Sequence, residues 1–173
     1  MTNAYAVITG ASSGIGYELV QLFAKDGVNV VLVARRKQQL NKIAAELRKE
    51  YDIDAIVLSA DLSQRDDVMQ LCTKITEMDL DVHYLVNNAG FGNYGMFTQS
   101  SWDKEEEMIA VNVTALTYLT KFFARLMQTQ GHGKILNLGS TASFLPGPLM
   151  AVYFATKGYV LQLDAAVAEE LKR

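Results

Sequence analysis

The residues of this chain best suited to chemistry are Ser140, Tyr153 and Lys157. Tyr153 and Lys157 are four positions apart, so their side chains share one face if the segment is helical. A lysine ammonium beside a phenol favours the ionised phenol, and the tyrosine can then act as an acid near neutral pH. The same spacing is common in exposed pairs on amphipathic helices, so this assignment needs support from the rest of the chain.

The N-terminal segment supplies that support, because it predicts a phosphate-binding turn. An apolar strand from Ala4 to Thr9 runs into a glycine turn, and a helix with spaced apolar residues follows. Glycines let the backbone approach a pyrophosphate closely, and the amides and dipole at a helix start favour an anion. A turn without a ligand is the alternative, but the flanking strand and helix favour binding. The predicted contacts are Gly10, Ser12, Ser13, Gly14, Ile15 and Gly16.

The glycine spacing is Gly-x-x-x-Gly-x-Gly, which departs from the Gly-x-Gly-x-x-Gly pattern usual in dinucleotide-binding folds. The motifs that follow it are Asn87-Asn88-Ala89-Gly90, Asn112, Ser140 and Tyr153-x-x-x-Lys157. In this order and at these distances, the motifs resemble the classical short-chain dehydrogenase/reductase family over the whole chain. The resemblance implies an oxidoreductase whose catalytic residues are Ser140, Tyr153, Lys157 and Asn112.

The resemblance also implies how these residues act on a small or medium-sized carbonyl compound or secondary alcohol. In reduction, the nicotinamide gives a hydride to the carbonyl carbon, and the Tyr153 hydroxyl gives a proton to the oxygen. Ser140 donates a hydrogen bond to the developing oxyanion, while Lys157 tunes Tyr153 and bonds the nicotinamide ribose. Asn112 would hold a water in a proton relay. Alternatively, Asn112 is a buried asparagine that bridges backbone groups at a helix kink.

The end of the second predicted strand, Ala34-Arg35-Arg36, bears on the choice of cofactor. NAD-binding sites usually place a carboxylate here for the ribose 2′-hydroxyl, whereas an arginine accommodates the 2′-phosphate of NADP. This segment has two guanidinium groups and no carboxylate, which predicts NADP (NADPH) rather than NAD. Arg35 is the expected first phosphate contact and Arg36 the second. A solvated basic start to a helix is the alternative.

The resemblance assigns further cofactor contacts to residues that follow the third and fourth predicted strands. Asp61 would lie at the adenine ring, although it could equally be a turn residue or part of a helix cap. Small residues after the fourth strand let the backbone approach the ribose, whereas Asn87 and Asn88 could largely brace the sheet. The contacts predicted in this way are Asp61, Leu62, Asn88, Ala89, Gly90, Tyr153 and Lys157.

Strand and helix patterns alternate along the chain, which predicts one Rossmann-like α/β domain over residues 1–173. We expect a doubly wound parallel sheet in the order 3-2-1-4-5 with helices on both faces. The later predicted strands are Val28–Val33, Ile53–Ser59, Val82–Val86 and Gly133–Leu138. The later predicted helices are Gln38–Glu50, Asp66–Met78 with Ser63 as its cap, a long stretch from about Trp102 to Gln128, and one that begins at Tyr153.

The resemblance implies more strands and a substrate-covering loop than these 173 residues hold, so the chain is predicted to be C-terminally truncated relative to the family. Its fifth strand would then be an exposed edge unless a partner covers it. Two functions therefore stay open. One is an NADP-dependent oxidoreductase, and the other is a catalytically inactive nucleotide-binding or interaction module.

Composition limits the class of protein without naming its activity. Half of the residues are hydrophobic, a fifth are charged, and the net charge of -3 gives no reason to expect a nucleic-acid partner. No apolar stretch reaches the ~20 residues that cross a bilayer, and the first residues lack a leader pattern, which predicts a cytoplasmic protein without a membrane partner. Cys72 has the helical spacing of a buried residue. His83 and His132 have no metal-ligand spacing, so we predict no metal.

Two loops bear on the substrate, and two helices bear on oligomer formation. The loops Phe91–Phe97 and Phe144–Met150 follow strands and are rich in aromatic residues and methionine, which predicts an apolar substrate, with core filling as the equal alternative. The long helix around 112–127 and the last helix carry more apolar residues than one sheet face needs. Because the family commonly pairs these helices, we expect a homo-oligomer through them; packing on the sheet is the alternative.

Overall fold

The computed structural model describes residues 4–172, in which five strands alternate with six helices. Met1 to Asn3, which belong to the segment examined for a leader, lie outside the described residues. The strands are β1 (Tyr5–Thr9), β2 (Asn29–Ala34), β3 (Ala55–Ser59), β4 (Val82–Asn87) and β5 (Lys134–Asn137). The helices are α1 (Gly14–Lys25), α2 (Lys37–Tyr51), α3 (Arg65–Glu77), α4 (Trp102–Ile109), α5 (Leu116–Gln130) and α6 (Ala151–Glu170).

The five strands form one parallel sheet in the order β3-β2-β1-β4-β5. This confirms the predicted doubly wound α/β arrangement, in which the chain leaves β3 and crosses over to the far side of β1. Within the described residues, β5 lies at one edge of the sheet and exposes Leu136. All strands run the same way, so their C-terminal ends meet at one edge.

Two layers of apolar side chains pack against the sheet, one on each face. In β1, Val7 packs into the layer that contains α3 and α5, while Ala6 and Ile8 pack into the layer that contains α1 and α2. Successive side chains of a strand point to opposite faces, so a strand buried on both faces is apolar at every position. This explains why the strand patterns in the sequence are continuous rather than alternating.

The long predicted helix is interrupted in the structure. Trp102 to Gln130 forms α4, one π-helical turn (Ala110–Ala115) and α5, so the kink expected near Asn112 is present as a widened turn. The last helix begins two residues earlier than predicted, at Ala151.

The predicted cap of α3 was wrong. Ser63 donates its hydroxyl hydrogen bond to Asp61 and does not cap the helix, whose N-cap position is Gln64, without a side-chain cap bond. The Asp61 carboxylate competes for the serine because it lies two residues upstream in the same turn.

Two further predictions, one about membrane-spanning helices and one about Cys72, can be compared with the structure. No helix between residues 4 and 172 is long and apolar enough to span a bilayer. Cys72 is buried in the α3 layer beside Val68, Leu71 and Ile75, which confirms that it packs as a small hydrophobe. Burial raises the pKa of the Cys72 thiol from 9.0 to about 12.

We expect this thiol to make the fold sensitive to alkali. The unfolded chain ionises Cys72 above pH 9 and the folded chain only near pH 12, so stability is lost as the pH rises between these values. The loss should approach about 1.4 kcal/mol per pH unit in that window. Urea unfolding at pH 8 and pH 10.5 should show that Cys72→Ala loses less stability than the unmodified protein. A constant difference between the two proteins would contradict this.

Candidate active site

A cavity of about 700 Å³ opens at the C-terminal edge of the sheet, where strands β1 to β5 end. Open α/β sheets bind ligands in this position, at the point where the strand order reverses. Residues from the glycine turn, from the ends of β2 and β4 and from the start of α6 line one continuous space. The predicted site residues on its wall are Gly10, Ser12, Ser13, Gly14, Ile15, Arg35, Arg36, Asp61, Leu62, Asn88, Ala89, Gly90, Ser140, Tyr153 and Lys157.

The glycine turn leaves the start of α1 free of side-chain caps. Gly10 and Gly14 have φ values of 67° and 57°, a left-handed conformation that favours glycine. Ser13 stands at the N-cap position but makes no capping hydrogen bond. Arg36 Nη2 instead donates to Ser12 Oγ (3.0 Å) and Ser13 Oγ (2.8 Å), which brings a guanidinium beside the amides of the first helical turn. Both features attract an anionic group.

Gly16 lies behind this wall, where it lets two backbone segments touch. A Cβ atom at Gly16 would lie 2.4 Å from Gly10 O and 2.3 Å from Asn88 Nδ2, and one at Gly10 would lie 3.0 Å from Ala89 Cα. Only glycine fits such spacing, because the neighbours at Gly16 include a backbone carbonyl. The turn, α1 and the end of β4 are therefore packed backbone to backbone.

Gly16→Ala should consequently destabilise the fold by about 1–3 kcal/mol, the usual cost of overpacking. Gly95→Ala is the matched control, because an added Cβ there meets nothing within 4 Å and Gly95 is not among the glycines with positive φ. Thermal unfolding of both variants checks the expectation. Equal stability of the two would contradict the described packing.

Thr9 joins the turn to β4. Its buried Oγ1 accepts hydrogen bonds from Asn88 N and Ala89 N, both at 3.0 Å, and donates to Val86 O at 3.3 Å. Asn88 Nδ2 donates back to Thr9 O at 2.9 Å. Asn88 therefore braces the sheet and lines the cavity as well.

Ser140 follows β5 and caps the short 3₁₀ turn Thr141–Phe144. Its Oγ accepts a hydrogen bond from Ala142 N at 3.1 Å, and Ser143 Oγ accepts one from Ser140 N at 3.3 Å. Ser143 Oγ also donates to Lys157 O at 2.8 Å, so this turn is fixed against α6. Because Ser140 Oγ is engaged only as an acceptor, its O–H remains available as a donor toward the cavity.

Tyr153 and Lys157 lie one turn apart on α6, and both line the cavity. Lys157 is 6% exposed, and its Nζ donates to Leu138 O at 2.7 Å. An ammonium has three N–H donors, so two remain for other partners. Burial lowers the pKa of the Lys157 ammonium below its ordinary value.

Asn112 sits behind the cavity wall in the π-helical turn and is 1% exposed. Its Oδ1 accepts from Phe91 N at 3.1 Å, and its Nδ2 donates to Phe91 O at 2.9 Å and to Thr156 Oγ1 at 3.1 Å. These bonds tie the loop after β4 to α6, so Asn112 is the buried, bridging asparagine of the alternative, but its partners lie outside the long helix. The proton-relay role stays a prediction.

Comparison with known families decides the class of this fold. Residues 4–173 match the family model described as short chain dehydrogenase. The chain belongs to the short-chain dehydrogenase family.

Similar proteins are known by sequence and by structure. A 7β-hydroxysteroid dehydrogenase of Mediterraneibacter gnavus is 31% identical over 98% of this chain and 64% of its own length. A short-chain dehydrogenase from Sphingobium yanoikuyae in complex with NADPH is 39% identical, with a TM-score of 0.92 over 97% of this chain and 65% of that one. A bulky-bulky ketone specific alcohol dehydrogenase from Comamonas testosteroni is 38% identical, with a TM-score of 0.91 over 96% and 67%. This chain spans about two thirds of each relative.

The sequence did not reveal a carboxylate beside Arg35. Glu107, on α4, lines the cavity, and its Oε1 pairs with Arg35 Nη1 at 2.9 Å. The two residues are 72 positions apart, and Glu107 belongs to the acidic run 105–107, so no local pattern marks it. Arg35 is thus held by Glu107, while Arg36 lies on the serines of the glycine turn.

Asp61 adopts the turn role that the sequence left open. Its Oδ1 accepts from Ser63 N at 3.0 Å and Ser63 Oγ at 2.9 Å, and its backbone N–H donates to Asp67 Oδ2 at 2.8 Å. Asp61 and Leu62 nevertheless both line the cavity. The turn therefore fixes the wall on which the predicted adenine contact lies.

The two aromatic loops expose most of their large apolar side chains, which therefore do not fill the core, whereas Phe91 is partly buried against the core, as the core-filling alternative predicted. Exposed apolar residues in the loops are Tyr94, Met96, Phe97, Phe144, Leu145 and Leu149. Gly95 N donates to Leu149 O at 2.8 Å, which joins the loops to each other. A Cβ at Gly92 would lie 3.1 Å from Tyr153 Cδ2, so the first loop runs directly against the tyrosine ring.

Proposed function

We propose that the chain carries the nucleotide-binding and catalytic residues of an NADP(H)-dependent oxidoreductase. It would interconvert a small or medium-sized carbonyl compound and the corresponding secondary alcohol. The observation that carries the proposal is that one cavity brings Ser140, Tyr153 and Lys157 together with the glycine turn and two arginines. NADP(H) supplies or accepts the hydride when it is bound.

The residues present fit a phosphorylated dinucleotide. Close backbone packing at Gly10 and Gly16 leaves the first turn of α1 accessible to a pyrophosphate, with Ser12 and Ser13 beside it. Arg35 and Arg36 give the same wall two guanidinium groups for a 2′-phosphate. The related dehydrogenase from Sphingobium yanoikuyae binds NADPH, which supports this choice.

The chain's own residues manage the proton and the developing charge. In reduction, the Tyr153 O–H bond breaks and its proton goes to the carbonyl oxygen as the carbon gains the hydride, so the products balance. The Ser140 hydroxyl, free as a donor, stabilises the oxyanion on that same oxygen. Lys157, whose remaining N–H groups are free, supports the ionised phenol and bonds the nicotinamide ribose. In oxidation, Tyr153 takes the proton back.

The exposed loops favour an apolar substrate. Tyr94, Phe97 and Phe144 offer exposed aromatic surface on the two loops, the first of which contacts the Tyr153 ring at Gly92, and apolar pockets bind ligands by excluding water. Related enzymes named for a hydroxysteroid and for bulky-bulky ketones support the same class of substrate.

A panel of ketones of increasing bulk, incubated with NADPH and the protein made from the complete reading frame, tests the proposal. We expect NADPH consumption with at least one apolar ketone and a loss of about 10²–10³ in kcat for Ser140→Ala, which removes the oxyanion donor. Tight NADPH binding without consumption of any ketone would favour the alternative, an inactive nucleotide-binding module. The cytoplasmic location stays a prediction.

We further infer a homo-oligomer through α5 and α6. Leu116, Leu119 and Phe123 of α5 are buried in the core, but Tyr118 and Phe122 line an outer groove of about 330 Å³. Val160 of α6 is buried, while Leu171, directly after the end of α6, is exposed. Light scattering at micromolar concentration should show at least a dimer, and Tyr118→Glu should weaken it, because the substitution replaces an aromatic contact surface with a charged side chain. A monomer would contradict this.

A further inference from the structure

A second cluster of chemically active side chains lies at the opposite edge of the sheet from the candidate active site. Asp81 directly precedes β4, His83 is the second residue of β4, and His132 lies between α5 and β5. The sequence predicted no metal, because these histidines have no ligand spacing along the chain. The parallel fold nevertheless brings the starts of β4 and β5 together, although Asp81 and His132 are 51 positions apart.

Both imidazoles meet the same carboxylate. His83 Nε2 lies 3.0 Å from Asp81 Oδ2, and His132 Nε2 lies 2.8 Å from Asp81 Oδ1. The two ring centroids are 4.2 Å apart, and one donor atom from each of the three residues lies within 4.8 Å of the others. All three side chains are partly exposed, so an ion can reach them from solvent.

These distances suit a tetrahedral ion of the zinc class. Zinc bonds to imidazole nitrogen and carboxylate oxygen are about 2.0–2.2 Å long, so two ligand atoms of one ion lie roughly 3.4 Å apart. Here each imidazole Nε2 lies slightly closer than this to a different oxygen of the Asp81 carboxylate, and a few tenths of an ångström of separation would admit the ion. Imidazole and carboxylate are also a donor set that suits divalent zinc.

Gln130, the last residue of α5, offers a fourth donor. Its Nε2 donates to Asp81 Oδ1 at 3.2 Å, while its Oε1 is buried without a hydrogen-bond partner in the described structure. Rotation of the amide exchanges these two atoms and turns the oxygen toward the cluster. Water would be the other fourth ligand.

We propose that Asp81, His83 and His132 form a structural binding site for a divalent transition-metal ion, with zinc as the representative. The two Nε2 lone pairs and the carboxylate would ligate the ion, and the imidazole protons would reside on Nδ1. The bound ion ties the start of β4 to the connection between α5 and β5, and it stabilises the folded chain because the unfolded chain lacks the preformed site. The site is independent of the proposed oxidoreductase activity.

Calorimetric titration of the metal-free protein with Zn²⁺ in a non-chelating buffer tests the proposal. We expect saturable binding of one equivalent and a rise in Tm with Zn²⁺ concentration. His132→Ala should weaken Zn²⁺ binding about 10-fold or more. Even the loss of a residue that only orients a metal ligand lowers metal affinity 10–100-fold. Asp81→Asn should also weaken Zn²⁺ binding. Because asparagine keeps the shape of the aspartate side chain, this variant tests the site even if His132→Ala perturbs the loop.

Glu46→Gln, which removes an exposed carboxylate of α2 away from the cluster, is the matched control and should bind like the unmodified protein. Circular dichroism and metal-free Tm values check that each variant folds. No saturable binding at one equivalent would overturn the proposal. Undiminished affinity in both His132→Ala and Asp81→Asn would overturn it as well, because the ion would then bind elsewhere.

Discussion

Tyr153→Phe should lower kcat for carbonyl reduction by about 10²–10⁴ and leave the affinity for NADPH largely unchanged. The substitution removes one hydroxyl group and keeps the ring, which packs against the loop at Gly92. Without that hydroxyl, the group proposed to give its proton to the carbonyl oxygen is lost, whereas the other predicted nucleotide contacts in the cavity are unchanged. Steady-state kinetics and NADPH titration of the protein made from the complete reading frame measure the two effects.

Two further variants separate this effect from damage to the helix. Tyr159→Phe removes a hydroxyl from the same helix, where it bonds Thr117 and lies outside the cavity lining, so it should retain full activity. Lys157→Met should reduce both kcat and NADPH affinity, because Lys157 is proposed to support the phenol and to bond the ribose. Turnover that survives Tyr153→Phe would exclude Tyr153 as the acid.

Arg35→Asp should narrow or reverse a preference of the protein for NADPH over NADH. The change removes a guanidinium from the cavity wall and places there the carboxylate that NAD sites use for the ribose hydroxyl. Loss of a charge-assisted phosphate contact costs about 1.5–3 kcal/mol, which corresponds to roughly 10- to 150-fold in Kd for NADPH. The measurement is a titration of both nucleotides against both proteins.

Arg36→Asp tests which arginine carries more of the preference, since Arg36 already lies on Ser12 and Ser13 while Arg35 is paired with Glu107. Lys42→Asp on α2 is the control for charge reversal, because this exposed lysine lies outside the cavity lining. Equal affinities for NADPH and NADH in the unmodified protein would refute the assignment.

Features with a local pattern were predicted correctly from the sequence. The strand order followed from the alternation of strands and helices, because short crossover connections leave few topologies for a parallel sheet. The glycine turn was recognisable because left-handed φ values at Gly10 and Gly14 and contact at Gly16 demand glycine at fixed spacing.

Features formed by contacts between residues far apart in the sequence were not predicted. Glu107 pairs with Arg35 across 72 positions, and His132 pairs with Asp81 across 51 positions. Neither pair therefore has a short sequence spacing that would predict the contact. The π-helical turn around Asn112 depends on bonds to Phe91 and Thr156 from two other elements. The position of Ser63 in the sequence predicted a helix cap, but its hydroxyl donates to the Asp61 carboxylate in the same turn.

Transfer of deuterium tests the central claim most directly. The protein made from the complete reading frame would be incubated with NADPH that carries deuterium at nicotinamide C4, together with the ketone that is reduced best. Mass spectrometry of the alcohol should find the deuterium on the carbinol carbon for the unmodified protein and for Tyr159→Phe, and at most a trace for Tyr153→Phe. Alcohol formed without deuterium for either C4 epimer of the labelled cofactor, or undiminished labelled product from Tyr153→Phe, would contradict the account.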